Sequence, residues 1–213
     1  MASIPDPAKE RLLALMGLLE KGEPLPLTSN QIEALTGWSS HTIRKDISCL
    51  DGGGGSPSGY DPRILVPAIK KALGLDRRRR FCVVGLGRLG SAYLNFPPAG
   101  LGLSAGVEGG EFELRAGFDI NVNRVEILQS PAPLYPAYKM GDVIRRFDIE
   151  IALLCVPAGA AQAASEKLAA SGIRGILNFA PVALKLPPKV AVRNVYLADE
   201  LRALAVKMGG GEP

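Results

Sequence analysis

The feature that most constrains this chain is a glycine-rich turn that follows a short apolar run. Residues 81–84 read Phe-Cys-Val-Val, and Gly85, Gly87 and Gly90 then follow in the spacing G-x-G-x-x-G. Gly85 permits a tight turn, Gly87 lets a pyrophosphate approach because it has no Cβ, and Gly90 lets the next helix pack closely. The first turn of that helix would direct its free N–H groups at the phosphates. The pattern predicts a nucleotide-binding turn, and the alternative is a glycine-rich turn that binds nothing.

Beyond this turn, apolar strands alternate with helical segments. The predicted strands are Phe81–Gly85, Phe112–Asp119, Ile149–Val156, Arg174–Asn178 and Val190–Leu197. The predicted helices are Arg88–Phe96, Tyr138–Arg146 and Ala158–Ser171. Unbroken apolar strands separated by helices are typical of a parallel sheet that is covered on both faces. We therefore expect an α/β fold with a Rossmann-like, doubly wound parallel sheet over residues 77–197.

The cofactor site is expected at the carboxyl ends of these strands, where open parallel sheets bind their ligands. Asp119 would accept hydrogen bonds from the adenine ribose hydroxyls, which favours NAD over NADP, while Arg124 keeps a 2′-phosphate open as an alternative. Ordinary turn chemistry is the alternative for the residues after the later strands. The candidates lie in the glycine turn and at three strand ends: Gly85, Leu86, Gly87, Arg88, Gly90, Asp119, Val156, Pro157, Ala180 and Pro181.

The N-terminal third has the spacing of a helix-turn-helix unit. Thr28 or Ser29 can cap a short helix, Gly37 suits a tight turn, and Ser39 or Ser40 can cap a second helix. In such a unit the second helix enters the major groove of DNA. The alternative is a helix pair whose polar face is only solvated. The polar residues that could bond to base edges or phosphates are Ser39, Ser40, His41, Thr42, Arg44 and Lys45.

Two segments join these helices to the sheet. Residues 51–59 (DGGGGSPSG) predict a flexible loop where the hairpin of a winged-helix domain would fit, and a helix is expected over Arg63–Leu73. The run Arg77–Arg80 could contact DNA phosphates or form a solvated linker. We place the boundary after residue 76, so that residues 1–76 form the DNA-binding domain.

Composition limits the remaining classes of protein. The 213 residues are 47% hydrophobic and carry a formal net charge of +4, which permits a polyanionic partner without demanding one. Cys49, Cys82 and Cys155 lack metal-ligand spacing, so we expect no metal. Cys82 and Cys155 lie in apolar runs and are predicted to be inert core thiols. The chain shows neither an apolar signal segment nor a membrane-spanning run, which predicts a cytoplasmic protein without membrane contact.

Over essentially its full length the chain resembles the Rex family of redox-sensing transcriptional repressors. The resemblance implies a homodimer with a winged-helix N-terminal domain and a Rossmann domain that binds NADH or NAD⁺. It also implies that NADH releases the protein from operator DNA, and that the C-terminal helix, within residues 198–213, is swapped between subunits. The last of the matching stretches is the most specific: Thr42–Ser48, Gly59–Tyr60, Gly85–Gly90, Phe118–Asp119, Val156–Pro157 with Ala160–Gln162, and Gly172–Pro181.

The resemblance assigns roles to individual residues. Arg44 and Lys45 would contact operator DNA. Leu89 would join Asp119 and the three glycines in binding the cofactor. The residues toward its nicotinamide end would be Val156, Pro157, Ala180 and Pro181.

This sequence departs from the family pattern in three places. The hairpin that usually carries Lys or Arg reads Gly-rich over Gly52–Ser58. Asn95 stands where the family often has Tyr. Tyr196 stands where the family often has an Asp that can pair with the arginine matching Arg11, and a tyrosine cannot form that ion pair.

The sequence leaves two other functions open. A CoA- or nucleotide-binding scaffold with weakened DNA binding could hold an ADP group on the same sheet and turn. An NAD-dependent dehydrogenase is a further alternative, although no histidine follows His41 and little chain is left for a substrate domain. We expect a repressor without catalytic residues.

Overall fold

A computed structural model of the protein describes residues 4–23, 25–52, 55–56, 58–95 and 111–209. The chain divides into two compact units, residues 1–77 and 78–213. The division falls beside the boundary expected after residue 76. Each unit contains its own cluster of buried apolar side chains.

The first unit is built from helices and a short antiparallel hairpin. Leu27 bridges Tyr60 beside the hairpin, and the hairpin lies in the segment where a wing was expected. The unit packs around side chains from every helix, including Leu12, Ile32, Ile43 and Ile69. Its elements are α1 (Asp6–Lys21), α2 (Ser29–Thr36), α3 (Ser40–Ser48), β1 (Gly55–Ser56), β2 (Gly59–Tyr60) and α4 (Pro62–Leu73).

Local hydrogen bonds explain where α2 and α3 begin. The Thr28 hydroxyl accepts the Gln31 N–H at 3.3 Å, and the Gln31 side-chain oxygen accepts the Thr28 N–H at 2.8 Å. This reciprocal pair is a capping box. Gly37 ends α2 with a φ of 74°, in the left-handed region that favours glycine. Ser39 caps α3, because its Oγ accepts the Thr42 N–H at 3.2 Å.

The second unit is a parallel sheet with helices in the connections. In the described residues the sheet has six strands in the order β5-β4-β3-β6-β7-β8, which confirms the predicted doubly wound fold. The order reverses between β3 and β6, and a crevice for ligands opens at such a switch point. The strands are β3 (Arg79–Val84), β4 (Phe112–Asp119), β5 (Leu134–Pro136), β6 (Ile151–Leu154), β7 (Gly175–Asn178) and β8 (Ala191–Asn194). The helices are α5 (Arg88–Asn95), α6 (Val122–Ile127), α7 (Met140–Arg146), α8 (Ala158–Ser171) and α9 (Leu197–Gly209).

Several predicted bounds were wrong. The strand expected over Ile149–Val156 is shorter, because only its four central residues pair with β7. The strand expected over Val190–Leu197 is also shorter, since the chain leaves the sheet after four residues to begin α9. Tyr138 lies in a 3-10 turn before α7 rather than in the helix. Phe96, the predicted end of α5, lies outside the described residues.

Arg79 and Arg80 extend β3 toward the amino edge of the sheet, where acidic side chains meet them. Arg79 Nη1 lies 3.4 Å from Glu150 Oε2, and Arg174 Nη1 lies 3.3 Å from the same oxygen. Arg80 Nη1 lies 3.3 Å from Asp148 Oδ2. Two of the four arginines predicted to form a linker or to contact DNA are therefore strand residues held in ion pairs.

The C-terminal helix α9 has no buried residue. Leu197, Leu201, Leu204, Val206 and Met208 are each more than half exposed. An apolar helix left uncovered by its own chain agrees with the swap between subunits, which stays a prediction.

Within the described residues, no helix combines the length and the apolar character needed to span a membrane.

Candidate functional site

The turn between β3 and α5 depends on glycine at two positions. Gly85 has a φ of 90°, and a Cβ there would lie 2.7 Å from the carbonyl oxygen of Cys155. A Cβ on Gly90 would overlap the carbonyl oxygen of Gly85. At Gly87, in contrast, a Cβ would meet nothing within 4 Å. The fold therefore requires Gly85 and Gly90, whereas Gly87 borders open space where a pyrophosphate could approach.

Helix α5 presents its first turn beside that open space. The Ser91 N–H donates to the Gly87 carbonyl at 2.9 Å, so the helical hydrogen bonds begin directly at the glycine turn. First-turn N–H groups lack partners within their own helix, which makes a helix start a donor site for anions. Arg88 and Leu89 are exposed there, while Leu86 is buried.

Asp119, at the end of β4, lies under the glycine turn with its side chain only 4% exposed. Its Oδ2 accepts the Leu86 N–H at 2.7 Å, and its Oδ1 accepts the Asn121 N–H at 2.7 Å. Arg124 Nη1 lies 3.5 Å from Oδ2. Oδ2 thus has two donors, whereas Oδ1 has one and keeps a further lone pair for a ribose hydroxyl. The two backbone contacts also give Asp119 a role that sequence analysis missed, which is to fix the turn.

The residues after β6 face the same turn. Val156 Cγ1 lies 2.8 Å from the position of a Cβ on Gly85. Pro157 is exposed and is the N-cap residue of α8, and its carbonyl accepts the Ala160 N–H at 2.9 Å. Burial raises the pKa of the neighbouring Cys155 thiol to about 12, so this thiol is neutral at physiological pH.

The loop after β7 is fixed by the fully buried side chain of Asn178. Its Oδ1 accepts the Ala180 N–H at 3.0 Å, and its Nδ2 donates to the Val182 carbonyl at 2.9 Å and to Asn194 Oδ1 at 3.0 Å. The side-chain amide therefore bonds to two main-chain groups within the loop and to the side chain of Asn194 in β8. The sequence pattern predicts Asn178 at a strand end and carries no signal of this role.

An aromatic pair lines the predicted nicotinamide end. The ring centroids of Tyr93, on α5, and Phe179 lie 5.0 Å apart. Ala180 is buried and Pro181 is exposed. Asn95, one of the departures from the family pattern, donates back to the Ser91 carbonyl at 3.1 Å within α5.

Tyr196 connects this loop to α9. Its hydroxyl donates to the Val182 carbonyl at 2.9 Å. Its own carbonyl accepts the N–H groups of Asp199 and Glu200 in the first turn of α9. No local sequence signal indicates the contact of the hydroxyl, because Tyr196 and Val182 are 14 positions apart.

The predicted DNA-binding residues lie along one side of α3. His41, Arg44 and Lys45 are exposed, whereas Ile43 and Ile47 are buried in the first unit. The remaining candidates, Ser39, Ser40 and Thr42, lie at the start of the helix, where the Ser39 and Thr42 hydroxyls are 2.8 Å apart.

An ion pair joins α3 to α1, and the sequence pattern did not predict it. Arg11 Nε donates to Asp46 Oδ2 at 2.6 Å, and Arg11 Nη2 donates to Asp46 Oδ1 at 2.9 Å. This two-point contact raises the pKa of Arg11 above its usual value. Arg11 therefore has a partner inside the first unit, although Tyr196 cannot supply a carboxylate.

The fold and these groups of residues define a class of protein: one that carries a Rossmann-type dinucleotide site at the carboxyl edge of a parallel sheet, together with a separate small helical unit. The chain matches the model described as the CoA binding domain over residues 102–182. It is 38% identical over 212 residues to the redox-sensing transcriptional repressor Rex of Thermus thermophilus, covering 93% of this chain and 92% of that protein. It is 32% identical to the Rex of Levilactobacillus brevis, covering 89% and 85%. The chain belongs to the Rex family of redox-sensing transcriptional repressors, as its motifs predicted.

Solved structures agree with this membership. The crystal structure of RSP, a Rex-family repressor, is 28% identical, covers 99% of this chain and 97% of its own, and gives a TM-score of 0.81. RSP in complex with beta-NAD⁺ and operator DNA gives 0.82 at 28% identity, covering 99% and 94%. RSP in complex with beta-NADH gives 0.81 at 27% identity, covering 99% and 96%.

Proposed function

We propose that this protein is a transcriptional repressor that binds operator DNA through α3 and is released from it when NADH binds at the glycine turn. The observation that carries the proposal is the geometry of the glycine turn. Gly87 borders open space, the fold requires glycine at Gly85 and Gly90, and Asp119 accepts a hydrogen bond from the turn. The complexes of RSP with NADH, and with NAD⁺ and operator DNA, support the proposal that this chain binds a nicotinamide dinucleotide and operator DNA. The proposed cofactor contacts are those predicted from the sequence, from Gly85 to Gly90, at Asp119 and at the ends of β6 and β7.

Redox discrimination would arise at the aromatic pair of Tyr93 and Phe179. The reduced nicotinamide ring is uncharged, whereas the oxidised ring carries a positive charge whose transfer to an apolar pocket is unfavourable. Burial raises the pKa of Tyr93, so its hydroxyl offers no negative charge to the oxidised ring near neutral pH. Desolvation of the ring at this pair would therefore favour NADH.

The switch requires that NADH bind the DNA-incompetent arrangement more tightly than the competent one. A change from mostly bound to mostly free needs about 10²–10⁴-fold differential affinity, or about 3–5.5 kcal/mol. The exposed apolar face of α9 supports a homodimer in which this helix packs on the second subunit. A repressor that acts on chromosomal DNA in bacteria works in the cytoplasm, where we place it.

The test is a mobility-shift titration at fixed salt on a duplex that the protein selects from a random library. NADH should lower DNA binding at concentrations where NAD⁺ does not. Equal effects of the two forms would contradict redox sensing and leave DNA binding intact.

The match to the CoA binding domain model favours a second candidate, a CoA-binding scaffold. A thermal-shift panel of NADH, NAD⁺, NADPH and CoA separates the two. A ligand at about 100 times its Kd should add about 2.7 kcal/mol of stability, and stronger stabilisation by CoA than by NADH would support the scaffold. We do not propose the dehydrogenase, since no observation on the described residues favours it over a regulator.

A further inference from the structure

Glu33, on α2, places a carboxylate at the start of α3. Its Oε2 accepts the N–H of Ser40, the first residue of α3, at 2.8 Å. Glu33 is exposed, so this contact lies at the surface of the first unit. The carboxylate therefore accepts a hydrogen bond from a main-chain N–H at the start of α3, the helix that carries the proposed DNA contacts.

The helix does not depend on this negative charge for its cap. Ser39 already accepts the Thr42 N–H, and a neutral side-chain oxygen could also accept the Ser40 N–H. An anionic group at an exposed helix start adds only slightly to stability. Charge at position 33 is thus a small contribution to folding.

Within the described residues, Glu33 forms no ion pair. The ion pairs described in the first unit involve other acids: Lys9 pairs with Asp6, Arg11 with Asp46, Arg63 with Asp61 and Lys70 with Glu20. Arg44, on α3 itself, places Nη1 3.4 Å from the Ser29 hydroxyl. The negative charge of Glu33 therefore lies at the start of the helix expected to contact DNA, without an ion pair among the described residues.

We propose that Glu33 limits the affinity of the protein for DNA, because its carboxylate occupies the place of a backbone phosphate at the first turn of α3. The inference rests on the proposed DNA binding by α3. Helix N-termini commonly contact phosphates, and a phosphate that approaches Ser40 must displace the carboxylate or face its charge. Phosphate contacts carry no sequence information directly, so Glu33 weakens binding to operator and to unrelated DNA alike.

The test compares Glu33→Gln with the wild-type protein on two duplexes, one selected by the wild-type protein from a random library and one with a shuffled sequence. Glutamine keeps the oxygen that accepts the Ser40 N–H and removes only the charge. Glu10→Gln is the matched control, because Glu10 is exposed on α1 and the variant has the same change in net charge. Melting temperatures of all three proteins are measured first.

We expect Glu33→Gln to bind both duplexes about 2–5-fold more tightly at low salt. The gain should shrink toward none near 1 M salt, where the Debye length falls to about 3 Å. Glu10→Gln should bind like the wild-type protein.

Unchanged or weaker binding by a Glu33→Gln variant that melts normally would overturn the inference, and so would an equal gain in Glu10→Gln. Both results would leave the proposed function standing. If neither the wild-type protein nor Glu33→Gln retains any duplex, the proposed DNA binding itself is wrong and the inference falls with it.

Discussion

The carboxylate of Asp119 accepts the backbone N–H of Leu86 at 2.7 Å, although the two residues are 33 positions apart in the chain. This contact joins the end of β4 to the turn after β3. The residue predicted to bind ribose therefore also shapes the turn expected to bind the pyrophosphate. A change at Asp119 should affect the whole dinucleotide and not the adenosine end alone.

Asp119→Ala should weaken binding of NADH and NAD⁺ by similar factors and lower stability. The Leu86 N–H would lose its acceptor, and an unsatisfied buried donor costs about 1–3 kcal/mol. Calorimetry with each dinucleotide and chemical denaturation measure the two effects. Asp119→Asn keeps one oxygen acceptor and should lie between the two proteins in stability. Wild-type stability in Asp119→Ala would contradict the contact.

Gly87→Val should abolish cofactor binding while leaving stability and DNA binding close to wild type. The position borders open space, so the side chain would occupy the volume of the pyrophosphate without meeting the protein. Calorimetry with NADH and a DNA mobility shift report the two properties separately. Gly85→Ala is the comparison, since its Cβ would meet the Cys155 carbonyl and should destabilise the fold. A Gly87→Val variant that binds NADH normally would place the pyrophosphate elsewhere.

Tyr196→Phe should lower the free energy of unfolding by about 0.5–1.5 kcal/mol, because the hydroxyl loses its hydrogen bond to the Val182 carbonyl. We also expect a smaller effect of NADH on DNA binding, since this hydroxyl ties the loop after β7 to the start of α9. Tyr138→Phe is the control, because Tyr138 is 78% exposed. Equal stability of the two variants would show that the Tyr196 contact contributes nothing.

The three cysteines should differ in their reactivity toward a thiol reagent. Cys49 is exposed, whereas burial raises the pKa of the Cys82 thiol well above its usual range and that of Cys155 to about 12. Only thiolate reacts with a disulfide reagent, so the native protein should consume about one equivalent near pH 8. The unfolded protein should consume all three. Rapid reaction of Cys155 in the native state would contradict its burial.

Local patterns predicted the parts of the fold that depend on neighbouring residues. β4 and α8 have the predicted bounds because each is a long, uninterrupted segment with a strong signal. β5 and α6 were not predicted, since three and six residues carry too little periodicity to be distinguished from a loop. Arg79 looked like part of a charged linker because its acidic partner lies 71 positions away.

The candidate site shows the same division. The glycine spacing indicated the two positions where the fold requires glycine, and the geometry of Gly85 and Gly90 agrees with the predicted turn and close helix packing. The predicted reason for Gly87, approach of a pyrophosphate, stays a prediction. The roles of Tyr196 and Asp46 depend on partners 14 and 35 positions away, so no local pattern could indicate them. Asn178 bonds to Ala180 and Val182 within its own loop, and only its contact with Asn194 joins distant positions. Glu33 is four residues into a helix of ordinary composition, and its contact appears only when α2 and α3 pack together.

The ion pairs of Arg79 and Arg80 bear on how quickly the protein can find its target. With these two arginines assigned to the sheet, the first unit, residues 1–77, contains nine basic and nine acidic side chains. A unit that is nearly neutral has little long-range attraction for a polyanion, and its encounters gain little from electrostatic steering. Capture would then depend on the few cations of α3 at close range, so the association rate should depend only weakly on ionic strength.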